Sequence, residues 1–313
     1  MLVPSAPLLI RARKNGYAVP AFNINNLEIA QAVLETAAEM RSPVILQTSE
    51  GAIDYAGMDY LAAIAHTGSR LLKIPVAFHL DHGTNVALVE KAIASGLYTS
   101  VMIDGSRLPL AENIKLTRRI VELAHRQKIS VEAELGAIPG VEDKLSVTER
   151  EAYFTDPEQA EKFVQETKCD ALAIAVGTAH GAYKSTSAAI LDLARLKKIA
   201  ALVKIPLVLH GASGVSQKIL DAAHQGCERL GDCERLEGAT GIPNNQIKAA
   251  VKNGIAKINI DTDLRIAFTA GIRAALIKDR HVFDPRKILG PAKELMKKVV
   301  KEKIALFGAK EKV

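Results

Sequence analysis

Eight short runs of apolar, mostly β-branched residues recur along the chain, at 17–24, 43–49, 75–83, 100–106, 130–136, 171–177, 207–211 and 256–260. Each is nearly continuous rather than alternating, the pattern of a strand buried on both faces of a parallel sheet. Most stretches between them carry helical spacing instead, as in LEIAQAVLETAAEMR (27–41), LPLAENIKLTRRIVELAHRQ (108–127) and PEQAEKFVQET (157–167). Strand then helix, eight times over, predicts an α/β chain closed into a (β/α)8 TIM barrel rather than an open sheet. A dinucleotide-binding sheet would need G-x-G-x-x-G after its first strand, and YAVPAFNI is followed by none. The whole chain, 1–313, reads as one barrel domain. Two connections are longer than a barrel needs: 136–156 after strand five and 214–243 after strand seven. Both follow strand C-termini, where such barrels carry their chemistry, so each is a candidate lid. The second reads equally well as a helical insertion used for subunit contact.

Composition narrows the setting. Hydrophobic residues make up 48% and charged residues 24%, as in a globular protein free in water. No apolar run approaches the roughly 18 residues of a membrane span. The first residues, MLVPSAPLLIRARKNGYAVP, lack a basic region ahead of an apolar one, so no secretory signal is expected. Cys169, Cys227 and Cys233 cannot all pair, and a cytoplasmic location is expected. The formal charge of +6 sits with 4% aromatics and no Trp, which leaves little material for stacking on nucleic acid. Neither nucleic acid nor membrane is an expected partner, and a modest positive field suits a small anionic substrate.

The candidate chemistry lies at the ends of three of the runs, which close on His82, His180 and His210. A lone histidine near a core is more often a hydrogen-bonded structural residue. Three at the ends of strands three, six and seven can converge on one ion and leave a position open for substrate. A glycine lies beside each (Gly83, Gly181, Gly211), giving room for close backbone approach. Asp81 adjoins the first histidine and is the candidate acid/base, the alternative being a carboxylate that orients a ligand. His79 reads as a core or supporting residue. His66, His125 and His281 are expected to face water. His224, Cys227 and Cys233 make H-x2-C-x5-C without a fourth ligand, too little for a second zinc.

Glu132 and Glu134 are two apart on strand five and share a face directed into the barrel. Buried carboxylates need a cation or donor, and the same metal is the expected partner of both. Glu142 and Asp143 ride on the first long loop, from which a lid can deliver a base. Glycine-rich turns at 177–184 and 210–214, with Lys184 and Ser213, suit an oxyanion. The phosphate pocket of such barrels commonly follows strands seven and eight, and strand eight runs into NIDTDLR. Asp261 there could equally be a helix N-cap. Strand six carries no lysine for a Schiff base; Lys257 on strand eight is the one strand-borne candidate, read as structural.

These motifs in this order (PAFNINN, PVILQTSEG, HLDHG, VEAELG, VGTAHGAYK, LVLHGASG, KINIDTDLR and FDPRK) resemble the class II, metal-dependent fructose-bisphosphate aldolases over nearly the whole chain. The resemblance implies a zinc-dependent ketose-bisphosphate aldolase on a (β/α)8 barrel, with fructose 1,6-bisphosphate as substrate. It implies zinc on His82, His180 and His210, with Glu134 replacing a histidine when the metal moves inward. Asp81 would exchange the C4 hydroxyl proton and Glu142 the proton at C3. Gly181, Lys184, Gly211, Ser213 and Thr262 would bind the C1 phosphate. Asn23, Asn259 and Asp261 would face the sugar. Ser49 and Arg286, the arginine from a neighbouring subunit, would reach the C6 phosphate, with Arg265 a second candidate. The resemblance further implies a monovalent cation (Na+ or K+) and a homodimer or homotetramer. Tagatose 1,6-bisphosphate is the alternative substrate. A zinc hydrolase on the same barrel is the more distant reading, but many of those carry H-x-H on the first strand and AFNIN has none.

Overall fold

The structure, a computed structural model, describes residues 2–136, 140–142, 145–147, 154–178, 190–228 and 241–313, with backbone alone at 140–142, 145–147 and 227. Eight strands form a closed parallel barrel: β1 (Val19–Asn23), β2 (Val44–Thr48), β3 (Val76–Gly83), β4 (Ser100–Ile103), β5 (Ser130–Leu135), β6 (Ala171–Ile174), β7 (Leu207–Leu209) and β8 (Ile255–Ile260). Each pairs with the next, and β8 returns to β1 in a register running from Val19↔Lys257 to Phe22↔Ile260. Every strand residue is buried, which accounts for the unbroken apolar runs.

The helices follow their spacing. Leu27–Glu39 starts behind Asn26, whose side chain accepts from Ile29 N at 3.0 Å. Leu110–Arg126 buries Asn113, Ile114, Thr117, Ile120, Val121 and Ala124, one stripe at steps of three and four. Pro157–Thr167 coincides with its expected span, with Asp156 as its cap and Pro157 in its first turn.

Helix Ser5–Lys14 closes the end of the barrel where strands begin. Ser5 Oγ lies 2.8 Å from Ser100 Oγ and Ala6 N donates to Ser130 Oγ at 3.1 Å, both serines opening their strands. Its Arg13 donates to the carbonyls of Ala200 (2.9 Å), Val203 (2.8 Å) and Ile205. The opposite end, where strands finish, is the one at which such barrels carry their chemistry.

Both long connections carry structure of their own. The first holds an antiparallel hairpin, Gly140–Glu142 with Leu145–Val147, where the sequence pattern predicts plain loop. The second contains helix Gln217–Glu228, packed against Thr262–Lys278 with Gly226 against the Arg273 stem. Among the described residues, no helix is long and apolar enough to cross a membrane.

Candidate active site

Neighbouring strand residues ordinarily point to opposite faces, yet Asp81 and His82 lie in one polar cluster at the barrel mouth. The backbone explains this. His82 has φ 45, left-handed and uncommon for a residue with a side chain, and the β3–β4 register shifts between Leu80 and Gly83. Gly83 follows because nothing larger fits: a Cβ there would lie 2.4 Å from both the Met102 carbonyl oxygen and Val89 Cγ2. The room this glycine leaves is taken up by strand packing.

Asp81, 1% exposed, is held by three amide side chains from three strands. Asn23 Nδ2 (2.9 Å) and Gln47 Nε2 (3.0 Å) donate to Oδ2, and Asn259 Nδ2 (2.9 Å) donates to Oδ1. Gln47 Nε2 also donates to Asn23 Oδ1 at 2.7 Å. These contacts fix the carboxylate beside His82. Among the described residues, Gln47 Oε1 and Asn259 Oδ1 are buried with no hydrogen-bond partner, so both can accept from a hydroxyl.

His82 and His210 meet edge to face, with His82 Nε2 and His210 Nδ1 only 2.7 Å apart. The far nitrogen of each ring faces a carboxylate: His82 Nδ1 lies 3.0 Å from Asp104 Oδ2, and His210 Nε2 lies 2.7 Å from Glu132 Oε1. Carboxylates accept, so these partners place the ring protons on the far nitrogens and leave the facing nitrogens with lone pairs. Two lone pairs that close repel unless a proton or a metal cation lies between them. Two imidazoles with Asp81, all with ligand atoms within 4.8 Å, fit a divalent metal of zinc's preferences. A second group, His82, Asp104 and Glu134, meets the same spacing, with Glu134 Oε2 3.7 Å from His82 Nδ1.

The electrostatics agree with this arrangement. Burial, then the neighbouring His82, lowers the His210 pKa. Burial likewise pushes His79 down to about 3, with the Lys257 charge adding to it. Burial alone would raise the Asp104 carboxyl, but the hydrogen bond and charge of His82 bring it well below the usual carboxylate range. Glu132 behaves the same way: burial raises it, and the Lys257 charge with the His210 N–H overturns that.

Here one expectation needs correction. Glu132 does not wait on a metal, because Lys257 Nζ donates to its Oε2 at 2.8 Å while His210 occupies Oε1. Glu134 alone of the pair belongs to a group that could hold a metal, with His82 and Asp104. Asp104 and Gln47 were missed in the sequence. Asp104 carried the one signal available, an acid just past a strand end, whereas Gln47 lies inside β2 with no local mark.

The phosphate candidates are placed unevenly. Ser213 Oγ accepts from Asp261 N at 3.2 Å, and Gly211 adopts φ 60 in the turn after β7. Thr262 opens helix Thr262–Lys278. Asp261 occupies the N-cap position without a capping hydrogen bond and instead pairs with Arg265, each oxygen 2.8 Å from the guanidinium. Ser49 caps helix Glu50–Ala56 by accepting from Ala52 N at 3.2 Å. Arg286 is exposed at the start of helix Pro285–Leu306 and folds onto Asp284 at 2.9 Å. His180, Gly181 and Lys184 lie outside the described residues, as do Asp143, Cys233 and the side chains of Glu142 and Cys227.

Barrels of this build carry their reactions at the strand C-termini, and in this (β/α)8 barrel that end holds side chains that could bind a metal ion. The chain belongs to the class-II fructose-bisphosphate aldolase family, whose model matches residues 3–312. It is 47% identical to a fructose-bisphosphate aldolase of Thermus caldophilus, covering 99% of both chains. It is 45% identical to the fructose-bisphosphate aldolase of Helicobacter pylori, covering 100% of both. Among solved structures it resembles the YdjI aldolase of Escherichia coli K12 with TM-score 0.77 and 29% identity, over 100% of this chain and 99% of that one. A fructose-bisphosphate aldolase from Campylobacter jejuni shares the fold with TM-score 0.76 at 23% identity, over 100% and 97%. Zinc dependence is general in the family.

Proposed function

We propose that this chain, acting as a single barrel domain, reversibly cleaves fructose 1,6-bisphosphate to dihydroxyacetone phosphate and glyceraldehyde 3-phosphate with zinc as cofactor. The observation that carries this reading is the facing pair of imidazole nitrogens beside Asp81. His82 and His210, with His180 as third ligand, would hold the ion, and Glu134 and Asp104 would offer it a deeper position. When bound, zinc supplies a Lewis acid for the ketone oxygen, offsetting the negative charge that develops as the C3–C4 bond breaks.

The chain's own groups do the rest. Asp81, oriented by Asn23, Gln47 and Asn259, takes the C4 hydroxyl proton; the C3–C4 pair then remains on the ketone fragment and C4 leaves as the aldehyde. Glu142, delivered by the hairpin, returns a proton to C3. Asn23, Asn259 and Asp261 face the sugar hydroxyls, with the amide oxygen of Asn259 ready to accept. Gly181, Lys184, Gly211, Ser213 and Thr262 bind the C1 phosphate at a helix N-terminus beside glycine turns. Ser49 with Arg286 of a neighbouring subunit, or Arg265 once it leaves Asp261, meets the C6 phosphate. A monovalent cation beside the phosphate, a homodimer or homotetramer, and a cytoplasmic location complete the reading.

Chelation should abolish cleavage and added Zn2+ restore it, with kcat/KM higher for fructose than for tagatose 1,6-bisphosphate. Activity that survives thorough chelation, or a borohydride-trapped adduct at Lys257, would overturn the mechanism. A higher kcat/KM for tagatose bisphosphate would reverse the substrate.

A further inference from the structure

The barrel interior below the mouth holds an ion pair that the reaction as proposed does not use. Lys257 on β8 and Glu132 on β5 are fully buried, 2.8 Å apart, with His210 of β7 on the other carboxylate oxygen. Such a pair is seldom a source of stability, since desolvating both ions costs about what their attraction returns. Its geometry has another consequence. Glu132 must cross β6 to reach β7, and the register puts Ala171 beside Glu132 and Ala173 beside Glu134. A large side chain at either alanine would stand in that path. The two carboxylate oxygens are thereby divided between two partners, Oε2 held by Lys257 and Oε1 receiving the His210 N–H.

We infer that Glu132, anchored by Lys257, is a positioning residue for His210, fixing its ring so that Nδ1 faces the metal. Asp104 does the same for His82 from the opposite side, so both of the described ligand rings are backed by a carboxylate. The two differ in their own anchors. Asp104 Oδ1 is tied by the Ser106 backbone N–H at 3.0 Å, whereas Glu132 depends on a charged side chain. His79 completes the surroundings, with Nε2 3.7 Å from Glu132 and Nδ1 2.8 Å from Ser100 Oγ. Removing the carboxylate leaves the His210 ring free to rotate or change tautomer, and metal affinity falls.

This inference rests on the metal reading proposed above, and its test keeps the two apart. In the full chain, the Zn2+ dissociation constant is measured by chelator competition and the site is viewed through the visible spectrum of Co2+. Two variants are compared. Glu132→Asp keeps a charge for Lys257 but shortens the reach to His210. Glu132→Leu with Lys257→Met removes both charges together, so no lone ion is stranded. Cooperative thermal unfolding without metal establishes that each is folded. Both should bind Zn2+ about 10- to 100-fold more weakly, the usual effect of removing a carboxylate behind a ligand histidine, and the Co2+ bands should shift. A folded variant of either kind with wild-type Zn2+ affinity and Co2+ spectrum reduces Glu132 to a structural residue and overturns the inference. If the unaltered chain binds no Zn2+, the metal reading itself falls.

Discussion

Replacing Gly83 with alanine tests whether the kink after His82 governs the site. The added Cβ would meet the Met102 carbonyl oxygen and Val89 Cγ2 at 2.4 Å each, with Leu80 Cδ2 at 3.6 Å. Ordinary contact begins near 3.4 Å, so β3 must move from β4 by an amount approaching 1 Å. Val89 can rotate, but the carbonyl cannot. Overpacking of this kind costs about 1–3 kcal/mol, and the backbone partner puts Gly83→Ala in the upper half. With an unfolding entropy of about 2.1 cal/mol/K per residue, a chain of this length should melt about 3–5 °C lower. The same movement displaces His82 from Asp104 and His210. A misplacement approaching 1 Å in a reacting group costs up to about 100-fold, so kcat/KM should drop between 10- and 100-fold. Adding Val89→Ala relieves one clash, and should recover part of the melting temperature while recovering little activity. Calorimetry and steady-state assays of the three proteins decide it. A Gly83→Ala variant that melts within 1 °C of the parent, with full activity, would refute the argument.

Asp81→Ala should lower cleavage by about two to four orders of magnitude with zinc still bound, the size usual for a general acid/base. Glu142→Ala should slow deuterium exchange at C3 of dihydroxyacetone phosphate more than Asp81→Ala does; the opposite order would exchange the two roles. Cys169 is buried, which pushes its thiol up to about 12. The neutral thiol therefore stabilises the fold fully below about pH 9, the ordinary value, and less as pH climbs toward 12. In a Cys227→Ser/Cys233→Ser background, native protein at pH 8 should resist alkylation while denatured protein reacts at once; equal rates would contradict the burial.

The barrel is legible because a strand buried on both faces needs apolar residues at every position, as ALAI and LVL show. Strand ends are less so: the run 171–177 predicts strand throughout, yet β6 stops at Ile174, because Ala175 and Val176 are buried beyond the strand's pairing and a buried apolar residue reads the same in or out of a strand. Helix Ser5–Lys14 leaves little trace in the pattern because its buried stripe is only Ser5, Leu8, Leu9 and Ala12. In the site, the residue types at 81, 82 and 210 announce themselves by lying at strand ends, and the structure brings them together. The partners of Glu132 do not. Its contacts lie 78 and 125 residues away, a separation no local pattern can express, so the sequence points to a metal where a lysine stands.

That separation bears on how the chain assembles. Glu132 enters with the fifth strand, but its cation belongs to the eighth, made last. A partial barrel that packed its interior before Ile255–Ile260 joined would enclose a carboxylate without a counterion, an arrangement that costs several kcal/mol. Half of this barrel is therefore a poor resting place for an ionised Glu132, whose counterion arrives only with strand eight. Contacts between residues so far apart in sequence are, as a rule, slow to form.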